Sequence, residues 1–313
     1  MSLTAIIRTR ARRLLVGAPA SLETAQLSSQ AYWSGYNVTQ HRQFSTAKDS
    51  LNYFNWRSQQ YYDYMRLMPV AGFDDRTVLD YGCGPGHDLV GFAVHSPAAR
   101  LIAMDVSAPS LDQARQRLAL HNGRADYFKI EEDDTRLPLA EASVDYVHCS
   151  GVLHHVPDPV RVLREFRRVL RPNGQVRLMI YNYDSVWLHL YAAYLYRKIE
   201  PSVAALSLSD LFKRVTDSPD CPISHAWTPD YVSAMAHEAG FVSAHLGNAV
   251  SVREVAILPQ RFEAILDPAL DQTHREFLLG LTFDSRGVPY HGKNAAGLDG
   301  CYQLLPASPP NTQ

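Results

Sequence analysis

VLDYGCGPG, Val78 to Gly86, decides how this chain is read. An apolar strand runs into an acid, Asp80, and then into glycines at 82, 84 and 86. A second apolar run, LIAM at 101–104, ends in another acid, Asp105. Glycines in a tight turn after a first strand let the backbone approach a ligand that a Cβ would block. An acid closing the next strand is placed to accept hydrogen bonds from two ribose hydroxyls. Together the two segments predict a nucleoside-binding site.

The glycine spacing separates cofactors. Dinucleotide binding calls for G-x-G-x-x-G, with a pyrophosphate on the helix N-terminus. Here the order is Gly82-Cys83-Gly84-Pro85-Gly86. This pattern, with Asp80 ahead of it and Asp105 twenty-five positions further on, resembles the first motifs of class I S-adenosylmethionine-dependent methyltransferases. That resemblance implies S-adenosylmethionine as cofactor, held by Asp80, Tyr81, Gly82, Cys83, Gly84 and Gly86 from the first strand and turn. Asp105, Val106 and Ser107 would follow from the second strand. The segment EEDDTRLPLAEASVDYVHCSGVLHHV resembles the next two motifs of the family. It implies Asp133, Asp134 and Thr135 near adenine, and Ser150 and Gly151 bordering the cofactor.

From residue 77 onward short apolar strands alternate with helical patterns, which argues a Rossmann-like, doubly wound, mostly parallel α/β sheet. Strands are expected at 77–80, 100–105, 126–130, 144–149 and 175–181, and helices at 87–95, 108–121 and 159–170. Pro172-Asn173-Gly174 reads as a turn before QVRLMIY. Thr228-Pro229 opens a last helix closed by Gly240, and strands near 241–246 and 250–257 complete seven. Three divisions follow: a helical N-terminal cover over 1–70, a core over 71–258 carrying a helical insertion at 184–225, and an extension over 259–313 whose LPASPPNTQ end is expected to be disordered.

The cover is rich in aromatics, and SLNYFNWRSQQYYDYMRLM has the length of one helix ended by Pro69, with Leu51, Phe54, Tyr61, Met65 and Met68 on its apolar side. Tyr53 and Arg57, four apart, form a pair suited to the carboxylate end of the cofactor. The arginines of 159–170 (161, 164, 167 and 168) face away from Val162, Phe166 and Val169, so they read as a solvated face and not a nucleic-acid patch.

Methyl transfer asks mainly for alignment of the acceptor, and a hydroxyl acceptor gains from a general base. His154, His155 and His225 are the base candidates at the ligand end of the sheet. Tyr181, Asn182 and Tyr183, just past the fifth strand, are candidates for substrate contact. No metal site is expected, because the 13 histidines are scattered and four cysteines (83, 149, 221 and 301) lack zinc spacing. There is no G-x-S-x-G elbow for hydrolysis.

The formal charge of −2 offers no overall attraction to nucleic acid. The first 22 residues hold four arginines and no acid, which leaves a solvated terminal helix, a transit peptide or a helix on an anionic membrane open. The cysteine pattern suits a reducing, cytoplasmic setting. The expected function is methyl transfer from S-adenosylmethionine to a small-molecule or glycan-type acceptor, at oxygen. A lipid-linked or quinone-type acceptor at a membrane surface, a non-catalytic S-adenosylmethionine-binding module and an NAD(P)-dependent oxidoreductase are the alternatives.

Overall fold

The computed structural model describes residues 27–37, 42–97 and 99–307. The arginine-rich start and the last six residues lie outside that range. Eleven strands occur among the described residues: β1 (Tyr61–Tyr62), β2 (Thr77–Tyr81), β3 (Arg100–Asp105), β4 (Ala125–Lys129), β5 (Val144–Ser150), β6 (Leu170–Tyr181), β7 (Phe241–Ser251), β8 (Leu281–Phe283), β9 (Pro289–His291), β10 (Asn294–Ala295) and β11 (Asp299–Pro306). Eight of them form one sheet in the order β1-β7-β11-β6-β5-β2-β3-β4, and β8, β9 and β10 form a small antiparallel sheet.

The centre of the large sheet is parallel from β4 to β6, as expected. Its central strands, β2 and β3, are buried almost throughout because helices cover both faces. One face packs Leu79, Ile102, Val147, Leu178 and Phe166 into a core, and the other packs Val78, Leu101, Ala103, Leu89 and Phe92. The chain travels outward from β2 to β3 and β4, then returns to β5 on the other side of β2. The carboxyl ends of β2 and β5 therefore flank the point where strand order reverses, which is where open α/β sheets bind ligands.

Helices His87–His95, Ala108–Ala119, Pro159–Val169 and Pro229–Glu238 fall where periodicity placed them. The last three begin as their sequences direct, with Ser107, Asp158 and Thr228 each accepting a backbone N–H of the first turn. Three of the four arginines of 159–169 are engaged with neighbouring groups: Arg164 with Glu238, Arg168 with Glu165, and Arg161 with the carbonyls of Glu132 and Asp133.

Four expectations need correction. The single helix over 50–68 is broken. Helix Ala47–Ser58 ends, the Tyr61–Tyr62 pair becomes an edge strand on β7, and Asp63 turns left-handed at φ 63° before the short helix Tyr64–Leu67. The tyrosine pair suits a pleated edge, and pairing there outweighs helical continuity. Pro172–Gly174 does not precede β6 but bulges within it: two steps on β5, from Val144 to Tyr146, match five on β6, from Leu170 to Gln175. The strand expected at 250–257 is a helix, Val252–Ile257, opened by a Ser251–Glu254 capping box. Its place in the sheet is taken by β11, which lies antiparallel between β6 and β7. The extension beyond 258 thus supplies an inner strand, and the sheet has eight strands rather than seven.

The insertion is more buried than its amphipathic look suggested. Trp187–Leu195 winds as a π-helix, with the Tyr196 amide bonding the Tyr191 carbonyl five residues back. Val186, Leu190 and Tyr194 pack with Ile257 and with Leu270, Phe277 and Leu278 from the extension. No helix among the described residues is long and apolar enough to cross a membrane.

Candidate active site

The glycine turn divides its labour. Gly82, Gly84 and Gly86 all have positive φ, at 71°, 51° and 74°. A Cβ on Gly82 would meet Val152 Cγ2 at 2.2 Å, and one on Gly86 would meet the Ala114 backbone at 2.9 Å. A Cβ on Gly84 would meet nothing within 4 Å. Gly82 and Gly86 are therefore held by packing, whereas Gly84 presents bare backbone to open space.

Asp105 ties the turn together. Its Oδ2 accepts the Gly84 N–H and its Oδ1 the Ser107 N–H, both at 2.8 Å. Each oxygen keeps a further lone pair for a ligand hydroxyl. Burial pushes this carboxyl up to about 6 despite those bonds. Asp80, beneath the turn, is buried, and its Oδ2 has no partner among the described residues. Burial raises its pKa as well, against the pull of His148. An unpartnered buried carboxylate beside exposed backbone calls for a cation or a donor.

A charged network extends from that point. His148 Nε2 lies 3.2 Å from Asp88 Oδ2, and Arg57 lies 4.0 Å from Asp88 Oδ1. Burial opposes charge on His148, yet the hydrogen bond to Asp88 raises it overall; burial likewise opposes the Asp88 carboxylate, and the bond to His148 lowers it overall. The helix carrying Tyr53 and Arg57 packs on the helix that follows the turn, with Tyr53 edge-on to His87. Tyr64, reached after the left-handed Asp63, bonds the Ser150 hydroxyl at 2.6 Å. Gly151, at φ 75°, follows directly.

Other expected contacts resolve differently. The Tyr81 ring turns into the core against Phe166 at 4.9 Å, and Cys83 is buried in the opposite core. Val106 is half-buried, and Ser107 is spent capping its helix. Asp133, Asp134 and Thr135 are exposed, and Asp134 accepts the Glu131 N–H within its own loop. Glu132, which sequence reasoning passed over, accepts the Ser29 N–H from the N-terminal helix Ser29–Gly35.

The three histidines gather at one place with unequal prospects. His154 is fully buried and accepts the Tyr181 N–H through Nδ1 at 3.3 Å, with its ring 3.8 Å from that of Tyr181. Burial pushes it well below the ordinary histidine value. Its Nε2 therefore carries the proton, and no lone pair is left to act as base. His225 is exposed and stacks on Trp227, bound to His154 only through its backbone. His155 donates from Nδ1 to the Ile223 carbonyl at 2.7 Å, which leaves the Nε2 lone pair free. Asp217 Oδ1 is 3.7 Å from that nitrogen, and it also accepts the Tyr181 hydroxyl at 3.0 Å. Trp33 covers the His155 ring at 4.8 Å.

His155, Asp217 and Cys221 each offer one ligand atom within 4.8 Å of the others. Cys221 Sγ sits off Nδ1 at 3.9 Å, on the side already bonded to Ile223, while Asp217 sits off Nε2. Asn182 is buried with its amide bonded to the Asp184 and Gly297 carbonyls, so it is a structural joint. Tyr183 packs edge-on to His189. Asp88, His148, Tyr64 and Asp217 were missed because nothing in their local sequence marks them; each acquires its role through a partner at least 36 positions away.

Comparison with known proteins bears on the family. Residues 79–178 match the family model described as a methyltransferase domain. An uncharacterized 37.1 kDa transposon protein of Streptomyces fradiae is 40% identical over 111 residues, 35% of this chain and 31% of that protein. A ubiquinone biosynthesis O-methyltransferase of Neisseria meningitidis is 34% identical over 137 residues, 41% of this chain and 56% of the relative. The chain thus spans only part of the length of these relatives. A solved complex of the Haloferax volcanii Trm112 methyltransferase activator with a methyltransferase superposes with a TM-score of 0.50 at 16% identity, over 85% of this chain and 100% of the other, a likeness of fold. The chain carries a class I S-adenosylmethionine-dependent methyltransferase domain, and S-adenosylmethionine is the cofactor of that family.

Proposed function

We propose that the chain transfers the methyl group of S-adenosylmethionine to a hydroxyl of a small molecule. The observation that carries the reading is the buried, unpartnered Asp80 Oδ2 beside a turn whose Gly84 faces open space. These residues fit the cofactor's charges. Asp80 would take its ammonium group, Arg57 its carboxylate and Asp105 its ribose hydroxyls, while the bare backbone at Gly84 leaves room for close approach. When bound, the sulfonium supplies an electrophilic methyl carbon.

The chain's own task is to position the acceptor and remove its proton. His155 is the base candidate whose tautomer suits that task, since the Ile223 carbonyl holds the proton on Nδ1. Asp217, held by Tyr181 and Ser224, would stabilise the imidazolium formed. Helix Ser29–Gly35 brings Tyr32 and Trp33 over this corner, with Tyr32 bonded to Ser218 at 2.9 Å and Trp33 against His155. Such a cover would exclude water during transfer. The Neisseria relative is by its name an O-methyltransferase, which supports oxygen as the acceptor atom.

Calorimetric titration with S-adenosylmethionine and S-adenosylhomocysteine is the direct test. Both should bind, and absence of binding at millimolar concentration would refute the reading.

A further inference from the structure

One buried acid takes no part in the arrangement above. Asp299 opens β11 at the carboxyl edge of the sheet and stands across from Tyr181 on β6 and Ala249 on β7. Two residues further on, Cys301 packs with Tyr64, Met179 and Ala249. Alternation along a strand puts the Asp299 side chain on that same face, where Tyr64 meets Ser150 and where Arg57 and Asp80 lie. Asp299 is 4% exposed, yet its carboxylate draws no hydrogen bond from the described residues; only burial and the nearby charge of Arg57 act on it. Its charge is felt in turn by Tyr61, Tyr181 and Glu254.

Glu254 is a second buried acid nearby, but one with donors of its own. It is fully buried, its Oε2 accepts the Ser251 N–H and hydroxyl, and the Trp187 N–H lies against the same carboxyl. Buried polar groups are nearly always satisfied, so an Asp299 carboxylate that no protein group donates to marks a place for something that donates.

We propose that Asp299 is the acceptor-binding carboxylate of this enzyme, taking the hydrogen bond of a phenolic hydroxyl whose ring lies among Tyr61, Tyr64 and Tyr181. This rests on the methyl-transfer reading above. Charge selects the class of ligand. Two acids disfavour an anionic group, while Arg57 and the sulfonium of the donor disfavour an ammonium. A neutral O–H donor suits both constraints, and three tyrosines suit a flat ring.

Catechol titrated calorimetrically into the full chain saturated with S-adenosylhomocysteine tests the assignment. Wild type should bind catechol, and Asp299→Asn should weaken that binding at least tenfold while leaving S-adenosylhomocysteine affinity within twofold. Catechol affinity indifferent to the substitution, or no catechol binding to wild type, would overturn the proposal. A variant that loses S-adenosylhomocysteine as well would also overturn it, because Asp299 would then serve as the counter-ion that positions Arg57. Failure of wild type to bind S-adenosylhomocysteine removes the methyl-transfer reading and this proposal together. Should Asp299→Asn not fold, the wild-type pH profile decides. Facing Arg57, Tyr61, Tyr181 and Glu254, Asp299 should lose catechol affinity as pH falls from 8 to 6, and a flat profile would refute its role.

Discussion

Asp105 makes the donor site measurable through protons. Its carboxyl is pushed up by burial to about 6, above the ordinary aspartate value of about 3.9. Ribose hydroxyls favour the ionised form, so cofactor binding should draw that value down and release a proton. The sign follows from linkage. Between about pH 4 and 6 the free protein holds a proton that the complex gives up, so affinity rises with pH across that window and levels off above it. From pH 5 to 8 the ionised fraction climbs from about one tenth to nearly all, worth roughly a tenfold gain, or about 1.4 kcal/mol. Asp80, raised in the same direction, adds to the slope. Asp105→Asn should remove the Asp105 share of the slope. It should also weaken binding at pH 8 by about 1–3 kcal/mol, because one of the Gly84 and Ser107 N–H groups would then face an amide N–H instead of an oxygen. The assay is calorimetry with S-adenosylhomocysteine from pH 5 to 8 in two buffers of different ionisation enthalpy, which counts protons released. An affinity flat in pH for wild type, or a slope unchanged in Asp105→Asn, would refute the reasoning.

Other substitutions separate packing from binding. Gly82→Ala, which drives a Cβ into Val152 at positive φ, should destabilise the fold by about 2–4 kcal/mol in denaturant unfolding. Gly84→Ala should cost only about 1–2 kcal/mol of backbone strain, yet it should weaken S-adenosylhomocysteine binding because it fills the open approach. His155→Gln should lower the methylation rate by about 10²–10⁴-fold with cofactor affinity unchanged, whereas His225→Gln should leave the rate near wild type; equal effects would discard the tautomer argument. The His148–Asp88 pair should stabilise the fold most between the ordinary values of the two groups, roughly pH 4 to 6.5. Raised His148 loses its contribution as pH climbs through its folded value, lowered Asp88 loses its own as pH falls through its folded value, and His148→Gln should flatten the profile of thermal unfolding on the alkaline side.

The cofactor half of the site was legible because it is written in one contiguous unit. A buried strand, a turn that needs positive φ at three glycines and an acid ending the neighbouring strand are all local signals, and each kept its place. Errors fell where a distant partner overrode local pattern. The 50–68 segment has helical period, but Tyr61–Tyr62 finds an edge of β7 to pair with. Residues 252–257 have strand-like apolar content, but Ser251 and Glu254 cap a helix and β11 fills the ladder.

The same contrast explains why the donor is legible and the acceptor is not. Asp80, Gly84 and Asp105 lie within 26 residues, so their spacing alone carries meaning. The acceptor side proposed here would draw on Trp33, Tyr64, Ser150, His155, Asp217 and Asp299, each from a different element of the chain. No local pattern can mark such residues, because the sheet alone makes them neighbours. The register of β11 is then the decisive constraint. One pairing, Asp299 opposite Tyr181, brings the end of the chain to the ligand edge of β6. A shift of one residue would carry that carboxylate to the opposite face. On the proposal made above, the strand placed inside the sheet would also complete the acceptor site, which would tie specificity for the acceptor to the integrity of the C-terminal extension.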